Sequence, residues 1–281
     1  MKIKAFAKVN LYLDIIGKRA DGYHELVTLM CPINLHDTIH LSFETSDIRV
    51  ACNHPDVPDS QRNIAHTAAR RFLRYAGRSN DGVRIKIEKN IPVGAGLGGG
   101  SSNAAAVLTG LNTYYGSPLS LETLLEIGQT IGADVPFFIY GKPAIATGIG
   151  EIITLFEGLP PLPLVLIYPG VILSTIDVYK NFNLGLTKNE KIHTKNIFKL
   201  DWNASAPKLL FNALENVAFG LCPEVMKVKE KLLESGAEGA LMSGSGSSVY
   251  GIYKDGEASK NAFHRLQQQK RWKVFNTRLL I

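Results

Sequence analysis

Cysteine is scarce in this 281-residue chain, which holds only Cys31, Cys52 and Cys222, odd in number and widely spaced. That excludes a disulfide framework or a CxxC metal site and points to a reducing compartment. Long apolar runs are missing as well: the stretch from Leu162 to Leu173 is broken by Pro163, Pro169 and Gly170 and is too short to span a bilayer. The N-terminus, MKIKAFAKVNLYLDI, alternates like a strand and lacks the apolar core and cleavage site of a signal peptide. A cytoplasmic protein with no membrane partner is the expectation. Extreme charge is also absent. The balance of 31 Lys+Arg against 25 Asp+Glu leaves +6, a mild bias that suits an anionic substrate as well as it suits nucleic acid and does not by itself imply the latter. Lys188, Lys191, Lys195 and Lys199 are scattered among polar residues, as on a solvated loop face. No internal repeat or low-complexity tract occurs, and the oligomeric state is not legible.

Glycine, by contrast, is concentrated. Residues 91–106 read Ile-Pro-Val-Gly-Ala-Gly-Leu-Gly-Gly-Gly-Ser-Ser-Asn-Ala-Ala-Ala, and Gly94, Gly96, Gly98, Gly99 and Gly100 fall close together. Only main chain lines such a turn, so a ligand can sit directly on its N–H groups. Ser101, Ser102 and Asn103 are good N-cap residues ahead of a helix. A glycine loop feeding a helix N-terminus binds phosphate through unpaired amides and the positive end of the helix dipole. The Walker pattern needs Gly-Lys-Ser/Thr, and Gly100-Ser101-Ser102 carries no lysine. Gly94, Gly96 and Gly99 satisfy GxGxxG, but a dinucleotide site wants a strand ending in an acidic residue downstream, and Glu122 begins a helix instead. The HRD and DFG companions of a protein kinase are missing.

Periodicity supplies the surrounding elements. Residues 2–15 read as a strand carrying Lys8 and Asn10, with a turn over 17–22 and strands at 39–43 and 48–51. A helix capped by Asn63 and stopped by Gly77 follows, then an alternating strand over 83–88. The glycine loop opens a helix over 101–114. Another, capped by Ser120, ends at Gly132 and delivers Asp134 to a loop before Pro136. After Gly141 the texture changes: strand 164–168, a basic stretch to about Leu200, helices 208–220 and 223–235, strands 238–242 and 248–253, helix 257–269 and strand 272–279. That order resembles a ferredoxin-like split β-α-β unit.

The string Pro92-x-x-x-Gly96-Leu97-Gly98-x-Gly100-Ser101-Ser102-Asn103-Ala104 resembles the phosphate loop of the superfamily named for galactokinase, homoserine kinase, mevalonate kinase and phosphomevalonate kinase, the GHMP kinases. Residues 5–14, Ala-Phe-Ala-Lys-Val-Asn-Leu-Tyr-Leu-Asp, resemble its first motif, and 239–246, Gly-Ala-Leu-Met-Ser-Gly-Ser-Gly, its third. Within the superfamily, Arg19-Ala20-Asp21-Gly22-Tyr23-His24 and Gly132-Ala133-Asp134-Val135-Pro136-Phe137-Phe138 resemble the branch that phosphorylates the 2-hydroxyl of methylerythritol carrying a cytidine diphosphate, in non-mevalonate isoprenoid synthesis.

The resemblance implies an α+β, two-domain fold: an N-terminal ribosomal-S5-domain-2-like α/β nucleotide domain, a C-terminal ferredoxin-like substrate domain, and a cleft between them. The domains are drawn as 1–155 and 156–281, with residues 10–37 contributing to the substrate side. It implies ATP as donor, accompanied by Mg²⁺. Asp134 would be the base at the acceptor hydroxyl, and Lys8 would neutralise charge and orient that hydroxyl. Asn63, Pro92, Gly94, Ala95, Gly96, Leu97, Gly98, Gly99, Gly100, Ser101 and Ser102 would bind ATP. Asn10, Tyr23, His24, Asp134, Thr175, Tyr179, Ser243 and Gly244 would bind the cytidine diphosphate conjugate. No metal ligand is assigned; Ser101 and Ser102 are candidates, and Glu126 lies where some members use a glutamate. Met30 stands where relatives carry an aromatic. Bland readings coexist with these: Lys8 and Asp134 as an ordinary ion pair, Asn63 as a cap only, 243–246 as a hairpin turn. Another small-alcohol kinase of the superfamily, such as a homoserine kinase, and a catalytically silent nucleotide sensor are the alternative functions.

Overall fold

The computed structural model describes residues 1–43, 45–59, 61–182 and 197–281. Lys188, Lys191 and Lys195 lie outside the described residues; Lys199 lies within them. Contacts divide the chain into two compact units: Met1–Ala7, Leu35–Val93 and Gly98–Gly141 in the first, Lys8–Asn34, Gly94–Leu97 and Lys142–Ile281 in the second. Two long strands, β1 (Lys2–Lys18) and β2 (His24–Ser42), contribute residues to both.

In the first unit the end of β2 pairs antiparallel with β4 (Val83–Glu88), Thr38 opposite Glu88, and β4 pairs parallel with β3 (Ile48–Cys52). The β4 alternation Val83, Ile85, Ile87 faces α1 (Ile64–Tyr75) and α2 (Gly99–Tyr114) in one core. Helix α1 buries Ala65, Ala68, Ala69, Phe72 and Leu73 and leaves Arg70 and Arg74 exposed, the division its periodicity predicts. Helix α2 is buried almost all round, and its small residues let neighbours approach closely: a side chain at Gly110 would meet Ile3 Cδ1 at 2.2 Å. Helices α3 (Leu121–Ile131) and α4 (Val135–Tyr140) complete this unit.

The second unit holds the rest of the seven-stranded sheet through which β1 and β2 run, and a four-stranded sheet. In one, the start of β2 pairs antiparallel with β5 (Ala144–Gly148), which pairs with β6 (Ile152–Leu155), while β1 pairs parallel with the short β8 (Phe211–Asn212). The other is antiparallel, ordered β11 (Lys273–Arg278), β7 (Pro163–Tyr168), β10 (Val249–Ile252), β9 (Gly239–Met242). Helices α8 (Pro223–Glu234) and α9 (Gly256–Leu266) bury Val225, Val228, Leu232, Ala262 and Leu266 against it. This is the ferredoxin-like arrangement the element order announced. Helix α5 (Thr175–Lys180) precedes the basic stretch.

Three elements differ from what the sequence pattern predicts. The expected helix 208–220 is two helices, α6 (Trp202–Leu209) and α7 (Glu215–Leu221), with β8 between them, because Pro207 sits near the end of the first and Asn212 turns the chain into the second. Strand β2 starts at His24 rather than at 39; its early residues are buried without alternation and pair with a strand far along the chain. Ser101 to Asn103 stand inside α2 and not at its cap, because Gly98, left-handed at φ 68°, ends the loop and lets the helix begin at Gly99.

Candidate functional site

Lys8 and Asn10 are two apart on β1, hence on one face, and both are buried, 5% and 2% exposed. Lys8 Nζ donates to Asn10 Oδ1 at 2.6 Å, Asn10 Nδ2 to Thr28 Oγ1 at 2.7 Å, and Thr28 Oγ1 to the Tyr12 carbonyl at 2.6 Å. This chain of donors fixes which way the Asn10 amide faces and holds its oxygen toward the ammonium. The Lys8 N–H donates to the Leu97 carbonyl at 3.1 Å, and Ser243 Oγ donates to the Gly96 carbonyl at 2.9 Å. The first, second and third motif strings thus converge in the second unit. Gly96 has no alternative there: its φ is +76° and a Cβ would lie 2.1 Å from the Ser243 carbonyl oxygen. A Cβ on Gly244 would lie 3.4 Å from Lys8 Nζ, and one on Gly94 2.8 Å from Ile172 Cγ2.

The turn 243–246 rests on two residues that no motif string marks. Asn212 Nδ2 donates to the carbonyls of Met242 and Gly244, each at 2.8 Å. Glu215 Oε1 accepts the Met242 N–H at 2.9 Å while its Oε2 takes Lys229 Nζ at 2.6 Å. An Asn-x-x-Glu spacing across a helix start was the available signal, hidden by reading one continuous helix. Thr175 and Ser245 share a hydroxyl hydrogen bond at 2.9 Å, so the substrate-side Thr175 belongs to the same turn.

Aromatic residues gather elsewhere in this unit. The His24 ring lies 5.4 Å from that of Tyr179 and 6.2 Å, edge-on, from Phe182, which the sequence reading did not single out. Burial, then the positive charge of Lys18, holds the His24 pKa below its ordinary value, favouring a neutral ring. Tyr23 stands 61% exposed at the turn, its N–H donating to Asp21 Oδ1 at 3.1 Å. Met30 is buried in β2 opposite Ala144.

The first unit carries the remainder. Asn63 caps α1, its Oδ1 accepting the Ala65 N–H at 2.8 Å, while its Nδ2 donates to the Pro58 carbonyl at 2.8 Å. In α2 the Ser102 N–H already bonds the Gly98 carbonyl at 2.9 Å, so the amides of Gly99, Gly100 and Ser101 precede the helical ladder and suit an anion. Pro92 is buried at the loop's entrance. The Ser101 hydroxyl comes within 3.7 Å of where a side chain on Gly132 would be, which brings it to the turn bearing Asp134. Asp134 precedes α4, partly exposed, with φ −81° and no side-chain cap bond of its own; Val135 and Phe137 behind it are buried. Glu126 is exposed on α3. Among the described residues no group of three or more His, Cys, Asp or Glu could hold a metal ion.

Free amides at the start of α2 suit a phosphate, and the backbone N–H of the buried Lys8 is bonded to the glycine loop. Residues 63–142 match the model of the GHMP kinases N terminal domain, and residues 195–271 that of the GHMP kinases C terminal. The chain belongs to the GHMP kinase family. Among its relatives, the 4-diphosphocytidyl-2-C-methyl-D-erythritol kinase of Syntrophotalea carbinolica is 46% identical over 96% of this chain and 95% of its own. That of Geobacter metallireducens is 44% identical over 100% and 99%. The crystal structure of a 4-(cytidine 5'-diphospho)-2C-methyl-D-erythritol kinase matches with TM-score 0.86 and 36% identity, each chain covered in full. The homoserine kinase from Cytophaga hutchinsonii, TM-score 0.77 at 19% identity, shares the fold.

Proposed function

We propose that this chain transfers the γ-phosphoryl group of ATP to the 2-hydroxyl of 4-diphosphocytidyl-2-C-methyl-D-erythritol, a step of non-mevalonate isoprenoid precursor synthesis, in the cytoplasm. The observation that carries it is the convergence of Lys8, Asn10, Gly96 and Ser243, drawn from three distant strings, in one hydrogen-bonded cluster. Full-length likeness to kinases named for that substrate supports the choice of acceptor.

Phosphoryl transfer asks for alignment and charge neutralisation more than covalent help. The loop from Pro92 to Ser102 cradles the phosphates on main-chain amides, with the positive end of α2 behind them. Lys8, already buried and oriented by Asn10, offsets charge at the acceptor, and Asp134 takes the hydroxyl proton. A weak base suffices, since in a loose transition state the proton leaves late. Mg²⁺ bound to ATP needs few protein ligands and keeps most of its waters; the Ser101 and Ser102 hydroxyls and the Asp134 carboxylate are oxygen donors of the fitting kind, and the ion would supply charge neutralisation on the phosphates. His24 and Tyr179, their rings in contact, read the cytosine by hydrogen bond and stacking, with Tyr23 beside them. Thr175, Ser243 and Gly244 serve the substrate phosphates, and Asn63 the adenine side. Residues 1–155 form the ATP-binding part and 156–281 the substrate part; the grouping of Lys8–Asn34 with the second unit supports a contribution from residues 10–37 to the latter.

Asp134→Asn and Lys8→Met test the roles. Each is expected to lower kcat by roughly 10²-fold or more while titration still detects ATP binding. Transfer at wild-type rate by Asp134→Asn would remove the base from the reaction.

A further inference from the structure

Asp37, near the end of β2, is fully buried at 0% exposed, and the chemistry above makes no use of it. Its Oδ1 accepts the N–H groups of Asn90 and Ile91, each at 2.8 Å. Its Oδ2 accepts Lys89 Nζ at 2.6 Å and Asn103 Nδ2 at 2.8 Å. All these residues belong to the first unit. A buried carboxylate is costly unless paired and hydrogen-bonded, and here four donors, one of them charged, satisfy it. The donors have one thing in common. Residues 89–91 are the entrance to the glycine loop, and Asn103 stands in the second turn of the helix to which the loop leads. A single carboxylate therefore ties both flanks of the loop to β2. The Lys89 ammonium also passes the first residue of α2: a Cβ on Gly99 would lie 2.8 Å from its Nζ.

We infer that Asp37 is a positioning residue for ATP, setting the entrance of the loop and the N-terminal amides of α2 in fixed relation. This rests on the reading of residues 91–106 as the ATP phosphate loop. Amides aimed at an anion help only when they are held in place beforehand, and a displacement of about 1 Å is expensive. Asn103 then owes its place in the Ser-Ser-Asn-Ala string to Asp37, toward which its amide donates. An aspartate there would set one carboxylate against another.

Steady-state kinetics on the full chain, with ATP and the cytidyl substrate varied separately, tests the inference in Asp37→Asn and Asn103→Ala, thermal melts reporting the folded fraction. The KM for ATP rises roughly tenfold or more in both, while the KM for the cytidyl substrate stays at the wild-type value. Should Asp37→Asn fail to fold, Asn103→Ala decides, since it deletes one bond of four and leaves the ion pair. Equal increases in both KM values, or a lowered melting temperature with an unchanged KM for ATP, overturn the positioning role. Wild-type protein that neither binds nor consumes ATP would sink the reading of the loop itself, and this inference with it, before any variant is compared.

Discussion

Two glycines separate a functional constraint from a conformational one. Gly96 and Gly236 both have positive φ, 76° and 94°, but a Cβ on Gly96 would strike the Ser243 carbonyl at 2.1 Å, whereas among the described residues nothing lies within 4 Å of one on Gly236. Gly236→Ala should therefore cost only the left-handed penalty, about 1–2 kcal/mol in a denaturant melt, with kcat unchanged. Gly96→Ala must move the turn at 243–246 and should lose most turnover; near-normal kcat in that variant would show the turn to be irrelevant. His24 offers a pH test. Its depressed pKa puts protonation of the ring below the ordinary histidine value, about 6.5, so the midpoint of the rise in the KM for the cytidyl substrate should fall below that pH. A rise already complete at pH 6.5 contradicts a neutral reading ring. At this scale the cluster of Lys8, Asn10, Gly96 and Ser243 is legible because each stands in a motif string. Thr28, Asn212, Glu215 and Asp37 are not, because their partners lie far along the chain and nothing in the local pattern marks a long-range acceptor.

Among elements, the helices announced themselves and one of them misled. Apolar spacing and Asn63 defined α1 to within a residue. Phe72→Ala should cost about 3–5 kcal/mol in stability, the range for deleting a buried aromatic, since its ring is fully buried between sheet and helices. Asn63 separates capping from ligand contact. Asn63→Ala should cost about 1 kcal/mol, and Asn63→Ser, which restores a cap acceptor, should recover stability but not the KM for ATP; recovery of both would leave Asn63 a cap only. The stretch 208–220 looks like one helix in sequence because its apolar residues continue the period across the break, while Asn212, whose side chain bonds the Met242 and Gly244 carbonyls, turns the chain through a short strand into a new helix. Strand β2 was truncated for a related reason: residues buried on both faces give no alternation to read.

For the molecule as a whole, the order of elements after Gly141 sufficed for the ferredoxin-like sheet, since the right pairings follow from few permitted connections. What order could not convey is that β1, β2 and the glycine loop each divide between two compact units, Lys8–Asn34 and Gly94–Leu97 grouping with the later part of the chain. Strand continuity conceals that division from element order, whereas the resemblance already implies a substrate-side contribution from residues 10–37. The choice of acceptor is the central claim, and a panel measures it directly: purified chain with ATP and Mg²⁺ offered 4-diphosphocytidyl-2-C-methyl-D-erythritol, homoserine and mevalonate, with phosphorylated product quantified. The cytidyl substrate should be phosphorylated with kcat/KM at least about 10²-fold above the other two, and cytidine nucleotides should compete with it. Equal turnover of all three, or transfer to homoserine or mevalonate alone, would contradict the assignment.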